Sequence, residues 1–227
     1  MRLSRIKKLN MNKLVLLCFT LILLLNSCAK SVQNEVQVYT NNFENGNLDG
    51  ITNSVISNFN GSKVLGNYNN GEFDLTINNL PKHDIVDISF DLYIHDSWEG
   101  VQQIDNISGP DIWGMNVDGK KIIYTTFANF SCVAGNYCPP QSYPADYPSQ
   151  SNNPKTGASR TDLPGFCSEI NNPNGTTLYK IHKSLSHSDK TLIIQCLDKL
   201  IQTNVTDPKC DESWSVDNIV VKVVKYN

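Results

Sequence analysis

Asp87-Ile88-Ser89-Phe90-Asp91-Leu92-Tyr93-Ile94-His95 alternates polar and apolar side chains without a break. Successive side chains of a strand point to opposite faces, so this stretch reads as a β-strand with one face in a core. The same period recurs where Phe73, Leu75 and Ile77 sit among Glu72, Asp74, Thr76 and Asn78, and again at Ile219, Val221 and Val223. Further strands are predicted at residues 36–43, 120–127, 178–185 and 191–197. Turn dipeptides such as Asn45-Gly46, Asp49-Gly50, Asn70-Gly71 and Asp118-Gly119 punctuate them. No segment carries a sustained helical period, although residues 196–202 could form one or two turns. Many short strands with one apolar face each bury those faces by packing two antiparallel sheets together. The predicted fold is all-β, a two-sheet antiparallel β-sandwich of the jelly-roll kind, with residues 35–227 as one domain.

The chain has 227 residues, 40% of them hydrophobic, and a mean hydropathy of −0.30. Those values exclude a disordered chain and a multi-span membrane protein. The N-terminus is different in character. Arg2, Arg5, Lys7, Lys8 and Lys13 precede a run from Leu14 to Leu25 interrupted only by Cys18 and Thr20. About twelve apolar residues fall short of a ~30 Å hydrocarbon core, so residues 1–27 read as a signal peptide, with translation starting at Met1 or Met11. Leu25-Asn26-Ser27-Cys28 resembles the bacterial lipoprotein box. That resemblance implies cleavage before Cys28, acylation of its thiol and amine, and a short lipidated tether at residues 28–34. Acyl chains that bury ~0.8 kcal/mol per methylene would hold the domain to a bilayer. The expected location is the bacterial cell envelope outside the cytoplasm, at the outer membrane or cell surface. With the five leader cations removed, 14 Lys and Arg face 22 Asp and Glu, a net charge of −8. So acidic a domain offers no basic stripe for nucleic acid and suits cations or neutral ligands instead.

Residues 129–175 break the strand rhythm, with most of the prolines and Tyr137, Tyr143, Tyr147 and Phe166. A connection of this length is functional or disordered, and 148–161 is the part expected to lack order. Export makes disulfides plausible among Cys132, Cys138, Cys167, Cys196 and Cys210. The expected pairs are Cys132 with Cys138 and Cys196 with Cys210, leaving Cys167 over.

Three stretches carry a family resemblance. They are Asn42-Phe43-Glu44-Asn45-Gly46, the run from Phe90 through Trp98-Glu99-Gly100 to Gly109-Pro110-Asp111-Ile112-Trp113-Gly114, and Asp211-Glu212-Ser213-Trp214-Ser215-Val216-Asp217-Asn218-Ile219. With His187-Ser188-Asp189 they resemble a group of secreted bacterial β-sandwich domains found on anchored surface proteins, a match that bears on fold more than on activity. The first and third stretches also resemble the ends of galactose-binding-like carbohydrate-binding modules. In those modules the Glu and Asp at the positions of Glu44 and Asp217 bind a structural calcium ion, which the resemblance implies here as a cofactor. At Asp49-Gly50-Ile51 the chain lacks the Trp such modules commonly carry.

Trp98, Trp113 and Trp214 each neighbour an acid. Indole faces stack on sugar rings while carboxylates accept hydroxyl hydrogen bonds. Trp98, Glu99, Asp111, Trp113 and Tyr143 are therefore the expected ligand-binding residues, with Trp214 expected in the core. No nucleophile elbow, zinc-binding helix or phosphate loop occurs. Asp87 and Asp91 share a strand face but stand ~13 Å apart, too far for glycoside hydrolysis. The expected function is non-catalytic binding of a glycan or surface polymer. The alternatives are a structural or protein-binding domain and, less favoured, a polysaccharide hydrolase or lyase.

Overall fold

The computed structural model describes residues 31–104, 107–135, 138–149 and 152–227. The signal peptide, Cys28 and Tyr137 lie outside the described residues, and no helix among the described residues is long and apolar enough to cross a membrane. Two antiparallel sheets make up the domain. The larger contains β1 (Val32–Asn41), β3 (Ile56–Phe59), β4 (Ser62–Tyr68), β6 (Ile85–Asp96), β9 (Arg160–Leu163), β10 (Thr176–Ser186) and β12 (Glu212–Tyr226). Its order is β3-β4-β12-β6-β10-β9, with β1 pairing the far half of β12. The smaller sheet contains β2 (Ile51–Thr52), β5 (Glu72–Ile77), β7 (Ile112–Val117), β8 (Lys120–Thr126) and β11 (Leu192–Lys199), in the order β2-β5-β11-β7-β8.

The sequence periods become the inner faces of this sandwich. Phe73, Leu75 and Ile77 of β5 meet Val86, Ile88, Phe90, Leu92 and Ile94 of β6 and Val221 and Val223 of β12 in one buried cluster. Toward its C-terminal end β6 is buried on both faces. Phe59, Val64, Leu163 and Leu178 form a second small core there, with Tyr93 and Phe166 packed against it. His95 sits beneath that layer, its ring nitrogens 3.0 Å from Thr176 Oγ1 and 2.7 Å from Ser215 Oγ. Burial pushes its pKa down to about 3, so it is a neutral structural histidine. At Gly66 the strands leave no room for a side chain, because a Cβ there would stand 2.8 Å from the Trp214 carbonyl oxygen of β12.

Two local expectations change. Cys196 lies within β11, and the helical turn falls instead at Pro208–Asp211. Asp207 caps that turn by accepting from the Cys210 amide, and proline supplies its first residue. Much of the described part of the long connection is tied down by one buried side chain, Gln141. Gln141 Oε1 accepts from Ala128 N and Lys155 N, and its Nε2 donates to Tyr143 O and Thr156 O. Asn152 exchanges backbone hydrogen bonds with Gln141, and residues 160–163 join the larger sheet as β9.

Cys132 bonds Cys138 as expected, but Cys210 bonds Cys167 and Cys196 is a free thiol. The reason is facing: Cys196 alternates into the sandwich interior with Ile194 and Leu192, whereas Cys210 sits on the turn outside it. Disulfide mapping of the native chain should recover 132–138 and 167–210, with Cys196 alkylated only after unfolding. The 43-residue separation of the second bridge predicts a loss of ~4 kcal/mol in a Cys167→Ser, Cys210→Ser variant, measurable by urea unfolding under non-reducing conditions.

Candidate functional site

Trp98, Trp113 and Trp214 are all fully buried, so none presents an indole face to a ligand. Trp98 turns inward because its indole N–H reaches the Ser213 carbonyl at 2.9 Å, and Trp214 because its own reaches Asp198 Oδ2 at 2.6 Å. Trp113 packs edge-on against Trp214 with ring centres 5.9 Å apart, and Phe127 bridges Trp98 and Trp113. Together they plug one end of the sandwich. Tyr143, half-buried, lies against Phe127 and Tyr179 at the margin of the same aromatic cluster.

The acids that neighbour the tryptophans gather over this plug. Ser97 donates to Asp211 through its amide and hydroxyl, and Gly109 N donates to the Ile201 carbonyl at 3.1 Å. A Cβ on Gly109 would collide with the Gln102 carbonyl, so only glycine fits that approach. Asp111 is fully buried and accepts through Oδ2 from Glu99 N and Gly100 N. Gln202 Nε2 donates both to Asp211 Oδ2 at 2.7 Å and to Glu212 Oε1. Burial raises the Asp111 and Glu212 carboxyls well above the ordinary range, and the neighbouring acids Glu99 and Asp211 raise both further. Asp96, at the end of β6, accepts from the amides of Phe166, Cys167 and Glu169, yet burial still lifts it to about 6. Glu99 and Asp111, read from sequence as ligand contacts, thus belong to a mostly enclosed acidic end.

Glu44 and Asp217 lie elsewhere, near the bulge in β12. Asp217 faces Asp91 across the β12–β6 ladder, and the register slips directly after it, with Asn218 in the left-handed region at φ 53°. Burial lifts Asp217 to about 6, with Asp91 and Glu44 adding like charge. Glu44 Oε1 accepts from Ser62 Oγ and Lys63 N, and the Lys63 ammonium sits 2.9 Å from the Glu44 carbonyl oxygen. The calcium expected here would need six to eight oxygens. The site supplies the two carboxylates, and a cation on the Glu44 carbonyl would take the place of that ammonium.

The same bulge opens a feature with no sequence signal. Three recesses of about 420, 400 and 180 Å³ share lining residues, the first two on the larger sheet and the third at its edge, where Ile123 of β8 also lines it. Asn41, Asn42, Asn45, Asn47 and Asn218 line the first. Asn218 also lines the second, with Ser89, Asp91, Lys180 and His182, and the last two residues continue into the third beside Tyr143 and Asp146. Lys180 pairs with Asp91 at 2.8 Å and His182 Nε2 lies 2.5 Å from Asp87 Oδ1, while the Lys180 and His182 side chains remain largely exposed. A separate recess of about 500 Å³ holds His187, Asp118 and Lys120. Within it His187 Nε2 lies 3.2 Å from Asp118 Oδ2, and His187 Nδ1 lies 2.7 Å from His83 Nε2.

No protein-family model matches the chain, and no curated protein matches it by sequence. Several solved structures share part of its shape. Latent PorU from Porphyromonas gingivalis aligns at 10% identity and a TM-score of 0.36 over 68% of this chain and 10% of that one. A family 35 carbohydrate-binding module from Clostridium thermocellum aligns at 11% identity and 0.33, over 83% of this chain and 97% of the module. A family 35 module from Paenibacillus barcinonensis gives 13% and 0.32, over 83% and 97%. The chain spans only 10–18% of the larger proteins it matches first.

Trp98→Ala should therefore act as a core mutation, costing roughly 3–5 kcal/mol in chemical denaturation. Asp96 gives a pH signature. Its folded pKa near 6 exceeds the ~3.9 of an unfolded aspartate, so the folded state holds the extra proton between those values. Its contribution is fully present below pH 4 and is lost as pH rises through 6, by roughly 1–3 kcal/mol. Urea midpoints measured between pH 4 and 7 should carry that slope in the parent chain and a shallower one in Asp96→Asn, where Asp217, Asp111 and Glu212, also raised by burial, still contribute.

Proposed function

We propose that this chain is a membrane-anchored, extracytoplasmic β-sandwich that binds a glycan or similar polyhydroxylated surface polymer without catalysing a reaction. The observation that carries the reading is the row of recesses sharing Asn218 and then Lys180 and His182. A continuous track suits a polymer better than a compact ligand. Its lining also matches the chemistry of sugars, whose hydroxyls both donate and accept. An asparagine amide does the same, and carboxylate and ammonium groups extend the set in each direction. The first two recesses fall in the size range of ordinary ligand sites. With the tryptophans in the core, recognition rests on hydrogen bonds, and Tyr143 is the one expected ligand residue that borders the track. The acyl group on Cys28 would hold the domain at the bilayer, and a calcium ion between Glu44 and Asp217 would brace the asparagine end of the track.

The test is retention of the chain on a panel of immobilised polysaccharides, followed by calorimetry with soluble fragments of any polymer that holds it. Asn218→Gly removes the amide shared by two recesses while leaving the backbone free to keep its positive φ. That variant, which also removes the 3.0 Å bond from Asn218 Nδ2 to Asp91 Oδ2, and His182→Ala should each weaken binding about five- to twentyfold while still unfolding cooperatively. Retention that survives both changes, or no retention on any polymer, would move the function to a structural or protein-binding role.

A further inference from the structure

The plugged end of the sandwich contains a chemical imbalance that the proposed track does not use. Asp111 Oδ1, Glu212 Oε2 and Gln202 Oε1 are buried and have no hydrogen-bond partner. Asp111 and Glu212 are both fully buried. The remaining atoms of these groups are firmly placed. Asp111 Oδ2 takes two backbone amides, Glu212 Oε1 takes the Gln202 amide, and Gln202 Nε2 is shared with Asp211. Nearby Asp198 shows a buried carboxylate with its needs met, for it accepts from Asn70 N, Gly71 N, Leu200 N and Trp214 Nε1. An unpartnered buried oxygen is destabilising, and more so if it is charged. Trp113 Nε1 and the hydroxyls of Ser108 and Ser213 nearby are also buried without a partner, but the oxygens of Asp111, Glu212 and Gln202 are the ones that can only accept.

Ser108 pairs with Gln202, and Gly109 with Ile201, which brings the segment carrying Asp111 beside the one that leads to Glu212. Among the described residues no three acid, histidine or cysteine side chains cluster tightly enough to hold a metal by themselves. Two carboxylates and an amide oxygen nevertheless form the start of a hard-cation shell, which calcium completes with carbonyls and water. We propose that Asp111, Gln202 and Glu212 hold a calcium ion that ties the loop after β6 to the start of β12. Glu99, Asp211 and Gln202, all half-buried, form the rim through which it enters. This site is distinct from the one expected at Glu44 and Asp217. Glu212 and Asp217 stand five positions apart along β12, a span of ~16 Å.

Terbium is the probe, because it replaces calcium and is sensitised by nearby tryptophan, and Trp98 and Trp113 lie directly beneath the site. Excitation of the purified chain at the tryptophan band should raise terbium emission severalfold, and excess calcium should reverse the rise. Calcium at a hundred times its dissociation constant should raise the melting temperature by about 5–10 °C. Glu212→Gln and Asp111→Asn keep the shape and one acceptor oxygen while removing a charge, so both should fold by near-ultraviolet circular dichroism. Each should lose at least tenfold in terbium affinity, and Glu44→Gln should not. An absence of sensitised emission and of a calcium shift in the parent chain would overturn the proposal. A response abolished by Glu44→Gln but intact in Glu212→Gln would overturn it equally, because it would place the ion at the other site.

Discussion

The antiparallel pairing of β6 with β12 is the constraint on which the rest of this molecule depends. It runs from Asp96 opposite Glu212 to Ile85 opposite Val224 and is interrupted only at the bulge after Asp217. On its inner face it aligns Leu92 and Ile94 with Val216 and Trp214, which fixes the core against which the smaller sheet packs. At its ends and at its interruption it does something else. One end sets Asp96 beside Glu212 and gathers the acids from two connecting segments, 97–111 and 200–211. The bulge turns Asn218 outward and drops a residue from the ladder, which makes room for the recesses on the outer face. Core, acidic end and track are thus consequences of one register. A slip by a single residue would turn every side chain of β12 to the wrong face.

Much of this was legible because the strands obey a local rule. Alternation in residues 87–95, 73–77 and 219–223 needs no knowledge of the partner strand, only of the pleat, and each of those segments is a strand with the apolar set inside. Chemistry that depends on which loop covers which surface was not legible. Trp98 looked exposed because its neighbours Ser97, Glu99 and Gly100 are turn-formers. What buries it is a carbonyl at Ser213, more than a hundred residues away. The same holds for Cys210, whose nearest candidate partner in sequence pointed into the core while Cys167 came to it across the surface. The track is hidden for a related reason: asparagines at 41, 42, 45 and 47 read as ordinary turn residues until the bulge places Asn218 beside them.

The contrast between Asp198 and Glu212 explains why a buried acidic end need not be a folding defect. Both are interior carboxylates close to Trp214, and both lose their hydration on folding. Asp198 recovers it from three backbone amides and an indole N–H, all supplied by elements that must be there for other reasons. Glu212 has only the Gln202 amide, and like charge surrounds it. An apolar side chain at 212 would fill the same space without that penalty. Keeping an acid at this position is reasonable only if a positive charge, a proton or a metal ion, accompanies it in the working protein. A metal ion would also account for the orphaned oxygens of Asp111 and Gln202.

A binding surface without an aromatic platform has a predictable energetic character. Stacking a sugar on an indole buries apolar area at little conformational cost, whereas each hydrogen bond from an amide replaces one to water and contributes only ~0.5–1.5 kcal/mol net. A track of asparagines and paired charges should therefore grip any one sugar unit weakly and discriminate by geometry. Weak sites arranged in a row regain strength when one polymer occupies several of them, since after the first contact the others become intramolecular. Attachment through an acylated Cys28 would extend the same logic, because many copies confined to one bilayer present their tracks to the same polymer. Low affinity per domain is then compatible with firm retention at a surface, and it leaves each contact free to exchange.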